Sequence, residues 1–541
     1  MTDTTAASGL IVLQGNRMED LRDLTLKWLG RRPLHPLART LFLVQSNGIA
    51  QWLKTSIAER QGEPGYGVCL GTDVALPARF QWQAYRAVIE AVEGSGQVPT
   101  TSPWDKSRLR WHLMKLLPEA LDDPLFEPLA RYLREDDEQR KRYQLAERLA
   151  DLFDQYQVYR ADWLTAWEAG NDVLTLPGNR VTEVPDDQRW QPALWRRISD
   201  ALPADQRHSH RGAVHQRFKR AAEQLTREVE QGETACPPEI PPRIVVFGIS
   251  SLPQQTLEVL AALSSISEVV LCLLNPCQFY WGEIIETQEV LRRHVRQRRR
   301  QGMPAELHHS LEQLHLHAHP LLAAWGKQGR DYLQLLSEHD HTDVEALSAL
   351  LDDSVDLFLA PPTDTLLGQL QDDILNLRPL AETQAEWPAL DPEHDHSIRF
   401  HICHSPQREL EVLHDQLLEA FAEDATLEPR DVMVMVPDIN DYAPYIDAVF
   451  GQFAPGEKRH LPYHVADQQE RHREPMLVAL ETLLSLPRLR FRASEILDLL
   501  DIPAIRTRFG LGDGDLSTLQ RWIREANVRW GLDASQRAEL G

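Results

Sequence analysis

Ile244-Val245-Val246-Phe247-Gly248-Ile249 is the stretch whose reading decides the fold. Four consecutive β-branched or aromatic residues read as a strand buried on both faces, which belongs in a parallel sheet. A helical pattern over 254–265 follows, and Val269 to Leu274 is the next apolar strand. Working outward toward the N-terminus, residues from about 100 to 235 are helical and rich in Leu and Trp. In that block a helix over roughly 143–158 places Leu145, Leu149, Leu152 and Tyr156 at a period near 3.6. Beyond it the strand and helix alternation reappears. Leu10-Ile11-Val12-Leu13 is a strand, and helix 17–29 carries Met18, Leu21, Leu24 and Trp28 on one side. Leu41-Phe42-Leu43-Val44 is a second strand, and helix 48–60 turns Ile49, Trp52, Leu53 and Ile57 inward. The helical block is therefore expected to be an insertion within a single α/β domain.

In the other direction, 300–320 and 335–345 are polar, His-rich and read as surface loops. Pro379, Pro388 and Pro392 among acidic residues mark 379–397 as a linker. A second α/β unit is expected after it. Ile398, Phe400 and Ile402 alternate as along a strand, Ser405 and Pro406 form a helix start, and Leu410, Leu413, Leu417 and Phe421 give that helix a buried side. Val432 to Val436 reads as the next strand. The expected organisation is a first domain over 1–378, a linker over 379–397, and an incomplete second domain over 398–541.

The 541 residues are 42% apolar and 26% charged, the balance of a globular chain with a real core. No apolar run reaches the ~18 residues that span a bilayer, and Met1 to Gly9 lacks the order of a signal peptide. The expected location is the cytoplasm, with no membrane contact. Five cysteines without a CxxC pair read as reduced thiols. A net charge of −24 excludes a protein coated in DNA-binding surface, but not a local basic channel. Of 57 basic residues only eight are Lys, at 27, 54, 106, 115, 141, 219, 327 and 458.

That scarcity tests for catalysis. Two α/β units with a helical insertion invite a helicase reading, and ATP hydrolysis needs a glycine-rich loop ending in Gly-Lys-Ser/Thr. Only Lys327 follows a glycine, Gln328 comes next, and Leu321 stands where the first glycine belongs. After the first strand comes Gln14-Gly15-Asn16-Arg17-Met18, with one glycine and no lysine. Gly248-Ile249, not Asp-Glu, follows the strand at 244–247. The Glu-x-Lys of metal-dependent nucleases is also missing, since no lysine has Glu two residues before it. The chain is expected to bind no cofactor or metal and to carry no catalytic residue.

Three charged features remain. His315, His317 and His319, beside His308 and His309, have imidazoles at strand spacing but no matching carboxylate or thiol, so a solvated loop is favoured over a metal site. Glu147, Asp151, Asp154 and Gln155 lie opposite the Leu stripe, and by spacing alone read as the wet side of a helix. Arg292, Arg293, Arg296, Arg298, Arg299 and Arg300 fit a phosphate contact, an acidic partner or plain surface.

Several segments resemble the RecC family, the gamma subunit of exodeoxyribonuclease V. They are Leu43-Val44-Gln45-Ser46-Asn47-Gly48-Ile49-Ala50-Gln51-Trp52-Leu53, Ala150 to Tyr156 continuing through Tyr159 to Leu164, and Asn275-Pro276-Cys277 with Tyr280-Trp281-Gly282. Pro320 to Lys327 with Gly329 to Tyr332, and Cys403 to Glu409, complete the set. They occur in family order across the chain and match about the first half of a member. The resemblance implies a degenerate superfamily 1 helicase fold: a parallel-sheet RecA-like domain with a large helical insertion, then the start of a second. It implies a non-catalytic scaffold for DNA repair and recombination, held between RecB-like and RecD-like subunits that use ATP and Mg. Such a subunit handles duplex and single-stranded DNA and reads the Chi octamer. By resemblance the reading residues are Gln45, Asn47 and Gln51; Leu76 and Trp82; Asp151, Leu152, Asp154, Gln155 and Arg160; and Arg211. Amides suit adenine edges, Arg suits guanine, carboxylates accept from cytosine, and Trp stacks on a splayed base. Asn47 stands where a family member has Thr, so the preferred sequence is expected to differ. Two alternatives stay open: an active helicase or nuclease subunit similar to the AddB branch with its site outside this segment, and an assembly subunit that no longer reads sequence.

Overall fold

A computed structural model describes residues 10–540 apart from 36, 60–64, 135–138, 177–179, 205, 283, 285–318, 340–356, 392, 467–473 and 487–488. The chain divides into two compact units, 1–398 and 399–541.

The first unit is built in the order β1 (Leu10–Gly15), α1 (Met18–Arg31), β2 (Thr40–Leu43), α2 (Asn47–Ala58), β3 (Thr72–Ala75), α3 (Pro77–Glu93), α4 (Lys106–Ala120), α5 (Glu127–Leu133), α6 (Arg140–Tyr159), α7 (Ala161–Glu168), β4 (Val173–Leu176), β5 (Arg180–Glu183), α8 (Trp190–Ala201), α9 (Arg211–Glu230), β6 (Arg243–Phe247), α10 (Gln254–Leu263) and β7 (Glu268–Leu274). Five strands form one sheet in the order β1-β7-β6-β2-β3, and every neighbouring pair is parallel. The register sets Leu10 beside Val269, Phe42 beside Val245, and Leu43 beside Ala75.

Because side chains alternate across a strand, both faces of the apolar runs must be covered. Val245 and Phe247 join Phe42, Val270 and Cys272 under Leu21, Leu24 and Trp28 of α1 and Leu53 and Ile57 of α2. Ile244 and Val246 join Leu41, Leu43, Val269 and Leu271 under Phe80, Tyr85 and Val88 of α3, Val214 and Phe218 of α9, and Leu257 and Leu260 of α10. The sheet is a middle layer between these two helical layers.

The helices between α3 and α9 have a core of their own, with Leu109, Leu113, Phe153, Trp167, Leu194 and Ile198 buried in it. Trp104 and Trp195 sit at its centre, ring centroids 4.3 Å apart. This region also contains a feature absent from the sequence reading, the antiparallel hairpin of β4 and β5. Two contacts tie it to the sheet layers. Gln157, fully buried near the end of α6, donates to the Trp104 carbonyl and accepts from the Arg211 amide, while Gln255 of α10 donates to the Gln157 carbonyl.

In the second unit the helix start reads as expected. Ser405 Oγ accepts from the Arg408 amide, Pro406 opens the helix Pro406–Glu423, and Leu410 packs with Val449, Phe450 and Leu461. The expected strands at 398–402 and 432–436 are not strands. They form no ladder, a bend falls at Ile398, and Phe400, Ile402, Met433 and Met435 are exposed. A strand exists only with a partner to take its N–H and C=O groups. Among the described residues nothing pairs with these segments, so alternation alone misleads here. The rest of the unit is helical: Pro475–Leu484, Ala493–Leu500, Pro503–Arg508, Asp513–Glu525 and Ala534–Leu540, with one isolated antiparallel bridge between Arg492 and Trp530.

Candidate nucleic-acid interface

All five strands being parallel, their carboxyl ends share one edge. The helices that follow the neighbouring strands β2 and β3 pack on opposite faces of the sheet. That divergence lies outside the strand ends, the place where open α/β sheets bind ligands. Gln45, Asn47 and Gln51 stand on its β2 side and are exposed. Ser46 caps α2 by accepting from the Ile49 amide at 3.4 Å, which turns the flanking amides outward at the start of the helix. Gln51 makes only a long contact, 3.5 Å, to Thr55. Leu76, half exposed, caps α3 on the other side. Trp82 is committed more deeply. Its indole N–H donates to the Pro99 carbonyl at 3.2 Å and its ring meets Tyr85 edge-on.

Gly248, just beyond β6, has φ +66, a conformation glycine adopts freely, and its Cα faces Met18 and Ile49. The loop it starts leads into α10, whose Gln255 holds the end of α6 through the Gln157 carbonyl. The end of α6 and the start of α9 are thereby fixed to the helix that follows β6, on the same edge.

The acidic stripe of α6 is not a wet face. Ala146, Leu149, Ala150, Phe153 and Gln157 are buried, so the helix is rotated relative to the expected Leu145–Leu149–Leu152–Tyr156 stripe, and Leu152 is only half-buried. Two alanines let α4 approach closely. Glu147 then pairs with Arg110 at 2.9 Å, Asp151 with Lys106 at 2.5 Å, and Asp154 with Arg211 at 3.5 Å. Arg211 also faces Asp105 at 3.7 Å. Asp151 apart, these groups line a groove of about 370 Å³ together with Ser107 and Ala150.

The two central carboxylates differ. The hydrogen bond from Lys106 holds Asp151 below the usual range. Burial pushes Asp154 above it, against the pull of Arg211. Asp154 Oδ1 is buried and accepts no hydrogen bond among the described residues. Gln155, on the exposed side, donates to Asp151 at 3.3 Å. Arg160 ends α6 already occupied: it makes a two-pronged contact with Asp162 at 3.1 and 2.8 Å, donates to the Thr175 carbonyl, and lies 4.0 Å from the Trp163 ring centroid.

The structure thus brings Asp154 and Arg211 into one groove, with Asp151 paired to its lining residue Lys106, and sets Gln45, Asn47, Gln51 and Leu76 where α2 and α3 diverge. Lys106, Arg110, Asp105 and Gln157 belong to the arrangement and were not anticipated. Their partners lie tens of residues away, so spacing holds no signal for them. The arginines at 292, 293, 296, 298, 299 and 300 and the histidines at 308, 309, 315 and 317 lie outside the described residues. His319 is buried, and burial lowers its pKa. No group of three metal-ligating side chains occurs among the described residues. Among them, no helix is long and apolar enough to cross a membrane.

After β1, Asn16 donates to the Leu359 carbonyl and accepts from the Leu359 amide, and its own amide donates to the Leu357 carbonyl. A Cβ on Gly15 would meet Leu357 at 3.0 Å. The turn leading into α1, where a helicase cradles phosphate, is covered by its own chain.

A model of the RecC N-terminal domain matches residues 10–377, and a model of the RecBCD enzyme subunit RecC fourth domain matches 473–541. The chain belongs to the RecC family. It is 38% identical to the RecBCD enzyme subunit RecC of Escherichia coli over 98% of this chain and 46% of that protein. For the RecC of Haemophilus influenzae the figures are 34%, 97% and 47%, and for that of Mycolicibacterium smegmatis 31%, 94% and 41%. The chain spans about half the length of these relatives. In this RecC-family chain the segment Leu43 to Leu53 lies on the β2 side of the divergence of α2 and α3, and Ala150 to Leu164 forms the joint of α6 and α7.

Proposed function

We propose that this chain is the strand-reading part of a non-catalytic subunit in a RecBCD-type helicase–nuclease that acts in double-strand break repair and recombination. In this reading RecB-like and RecD-like subunits supply ATP and Mg chemistry and the nuclease. The chain has the layered sheet of a motor domain whose ATP site is lost, channels single-stranded DNA after the duplex is split, and recognises a Chi-type sequence.

The observation that carries the reading is the placement of unsatisfied base-edge chemistry at one edge of the sheet. Gln45 and Asn47 present exposed amides, Gln51 is held only by a long contact to Thr55, and the buried Asp154 Oδ1 accepts no hydrogen bond, its ion-pair partner Arg211 standing 3.5 Å away. An exocyclic amino group of cytosine or adenine would satisfy that oxygen. The ion pairs of Lys106 and Arg110 with Asp151 and Glu147 leave the groove close to neutral, so it would not grip phosphate as a basic groove does. Arg160 reaches a guanine edge only by leaving Asp162, so its role there is to exchange a protein carboxylate for a base.

The test is helicase–nuclease assembled with RecB-like and RecD-like subunits, carrying Gln45→Ala, Asp154→Ala or Arg160→Ala. Each variant is expected to keep unwinding rate and ATP turnover within about twofold, and to lose pausing and nuclease switching at the recognised octamer by at least tenfold, as loss of one good base contact implies. Pausing and switching that survive all three changes would leave an assembly subunit that reads nothing.

A further inference from the structure

The second unit gathers exposed arginines without the carboxylate partners that many arginines have among the described residues of the first unit. Arg490, Arg492, Arg524 and Arg529 line one open cleft of about 680 Å³, with no carboxylate among its lining residues. All four are exposed. None forms an ion pair among the described residues, and the one side-chain hydrogen bond they make is from Arg529 to the Asn527 amide oxygen at 2.9 Å. Of the carboxylates nearby in sequence, Glu495 is spent on the Arg492 backbone amide at 2.9 Å, and Glu525, beside Arg524, forms no ion pair with the four among the described residues. Four guanidiniums gathered without counter-charge repel one another and lower the stability of the unit. Elsewhere in the chain, arginines such as Arg110, Arg196 and Arg243 sit against carboxylates.

The cleft is also shaped. Ala493 donates its amide to the Arg529 carbonyl, Gly531 donates to the Arg490 carbonyl, and Arg492 bridges to Trp530, so segments 490–492 and 529–531 run side by side. That pairing brings arginines from two separate segments of the unit to one rim. Leu497, Ile523 and Val528 make an apolar floor, Gln520 adds an amide, and Trp530 stands partly exposed at the wall.

We propose that this cleft binds a single nucleic-acid strand, the arginines holding consecutive phosphates and Trp530 stacking on a base. An acidic protein segment would satisfy the guanidiniums but has no flat partner for the indole and no repeating charge beside flat rings. A single strand has both. The site stands on the second unit alone and does not rest on the strand-reading proposal for the first.

The test is fluorescence anisotropy of the full chain with a labelled oligo(dT) 12-mer across 25–200 mM KCl. Arg524→Ala/Arg529→Ala is expected to weaken binding at least tenfold and to reduce the salt slope by about 1.4, two phosphate contacts at roughly 0.7 each. Trp530→Ala should weaken oligo(dT) by about tenfold and leave an abasic strand of the same length unaffected. The paired Arg→Lys change should keep the salt slope, and a cooperative melt checks each variant; Arg529→Gln alone serves if the double variant does not fold. Asp154→Asn should leave the slope unchanged, so failure of this site and failure of the groove in the first unit are separable. Unchanged affinity and slope in the arginine variants would overturn the proposal. So would variants that keep oligo(dT) but lose a labelled poly-glutamate, which would assign the cleft to an acidic protein.

Discussion

Asp154 carries a cost that its neighbours do not. Burial raises its pKa, with Asp105 and Asp151 adding to the rise and Arg211, then Lys106, drawing it down. A carboxyl whose folded pKa is raised gives stability that is complete below the unfolded value and is lost as pH rises through the folded one. Asp154→Asn should therefore raise the melting temperature at pH 7, by about 1–3 °C for an effect of half to one kcal/mol. The advantage should fade as pH falls toward 4. Thermal melts of both proteins at pH 7 and pH 4 check this, and a destabilised Asn variant at pH 7 would contradict it. A residue that weakens the fold while accepting no hydrogen bond fits a role outside the fold. Spacing alone marks Asp154 only as one of several charges on a helix; resemblance, not spacing, singles it out. Its burial comes from α4 and α9, which spacing along α6 does not reveal.

Among the elements, α9 is the joint between the helical region and the sheet layers, and its attachment is polar. His215 of α9 is fully enclosed, with Nδ1 2.9 Å from the Tyr85 hydroxyl of α3 and Nε2 2.7 Å from Glu258 of α10. Lys219 reaches the same carboxylate at 3.1 Å. Burial pushes the Tyr85 phenol up, so it stays a donor. The hydrogen bond from His215, then that from Lys219, draws Glu258 down to about 2 against the penalty of burial. A depressed carboxyl contributes stability above its unfolded value that is lost as pH falls through the folded one, here from about 4.5 toward 2. Glu258→Gln should cost about 1.5–3 kcal/mol at pH 7, the range for hydrogen bonds to a charged group. Urea midpoints should show the gap to wild type narrowing between pH 5 and pH 3, and an equal gap at both would contradict the account. The strands β1, β2, β6 and β7 were legible because both of their faces are buried and they read as unbroken apolar runs. β3 was not: in Thr72-Asp73-Val74-Ala75 only two residues are apolar and none is fully buried, so no apolar run marks it. The reverse error, strands at 398–402 and 432–436, came from alternation without a partner.

At the scale of the whole molecule, the account describes a motor-like sheet used as a passive edge. Its first helix begins where a phosphate loop would lie, yet Asn16 binds Leu357 and Leu359 there. A nucleotide would have to displace that segment and would find no lysine. The sequence announced the missing glycines and lysine directly, but not the segment that covers the turn, because 343 residues separate Asn16 from Leu359. Resemblance supplied Gln45, Asn47, Gln51 and Leu76; that they flank the divergence of α2 and α3 comes from the structure. The most direct measurement is ATP turnover by the purified chain on single-stranded DNA, alone and then with a RecB-like partner. The account predicts no DNA-stimulated turnover by the chain alone and turnover once the partner is added. Clear DNA-stimulated turnover by the chain alone would contradict it.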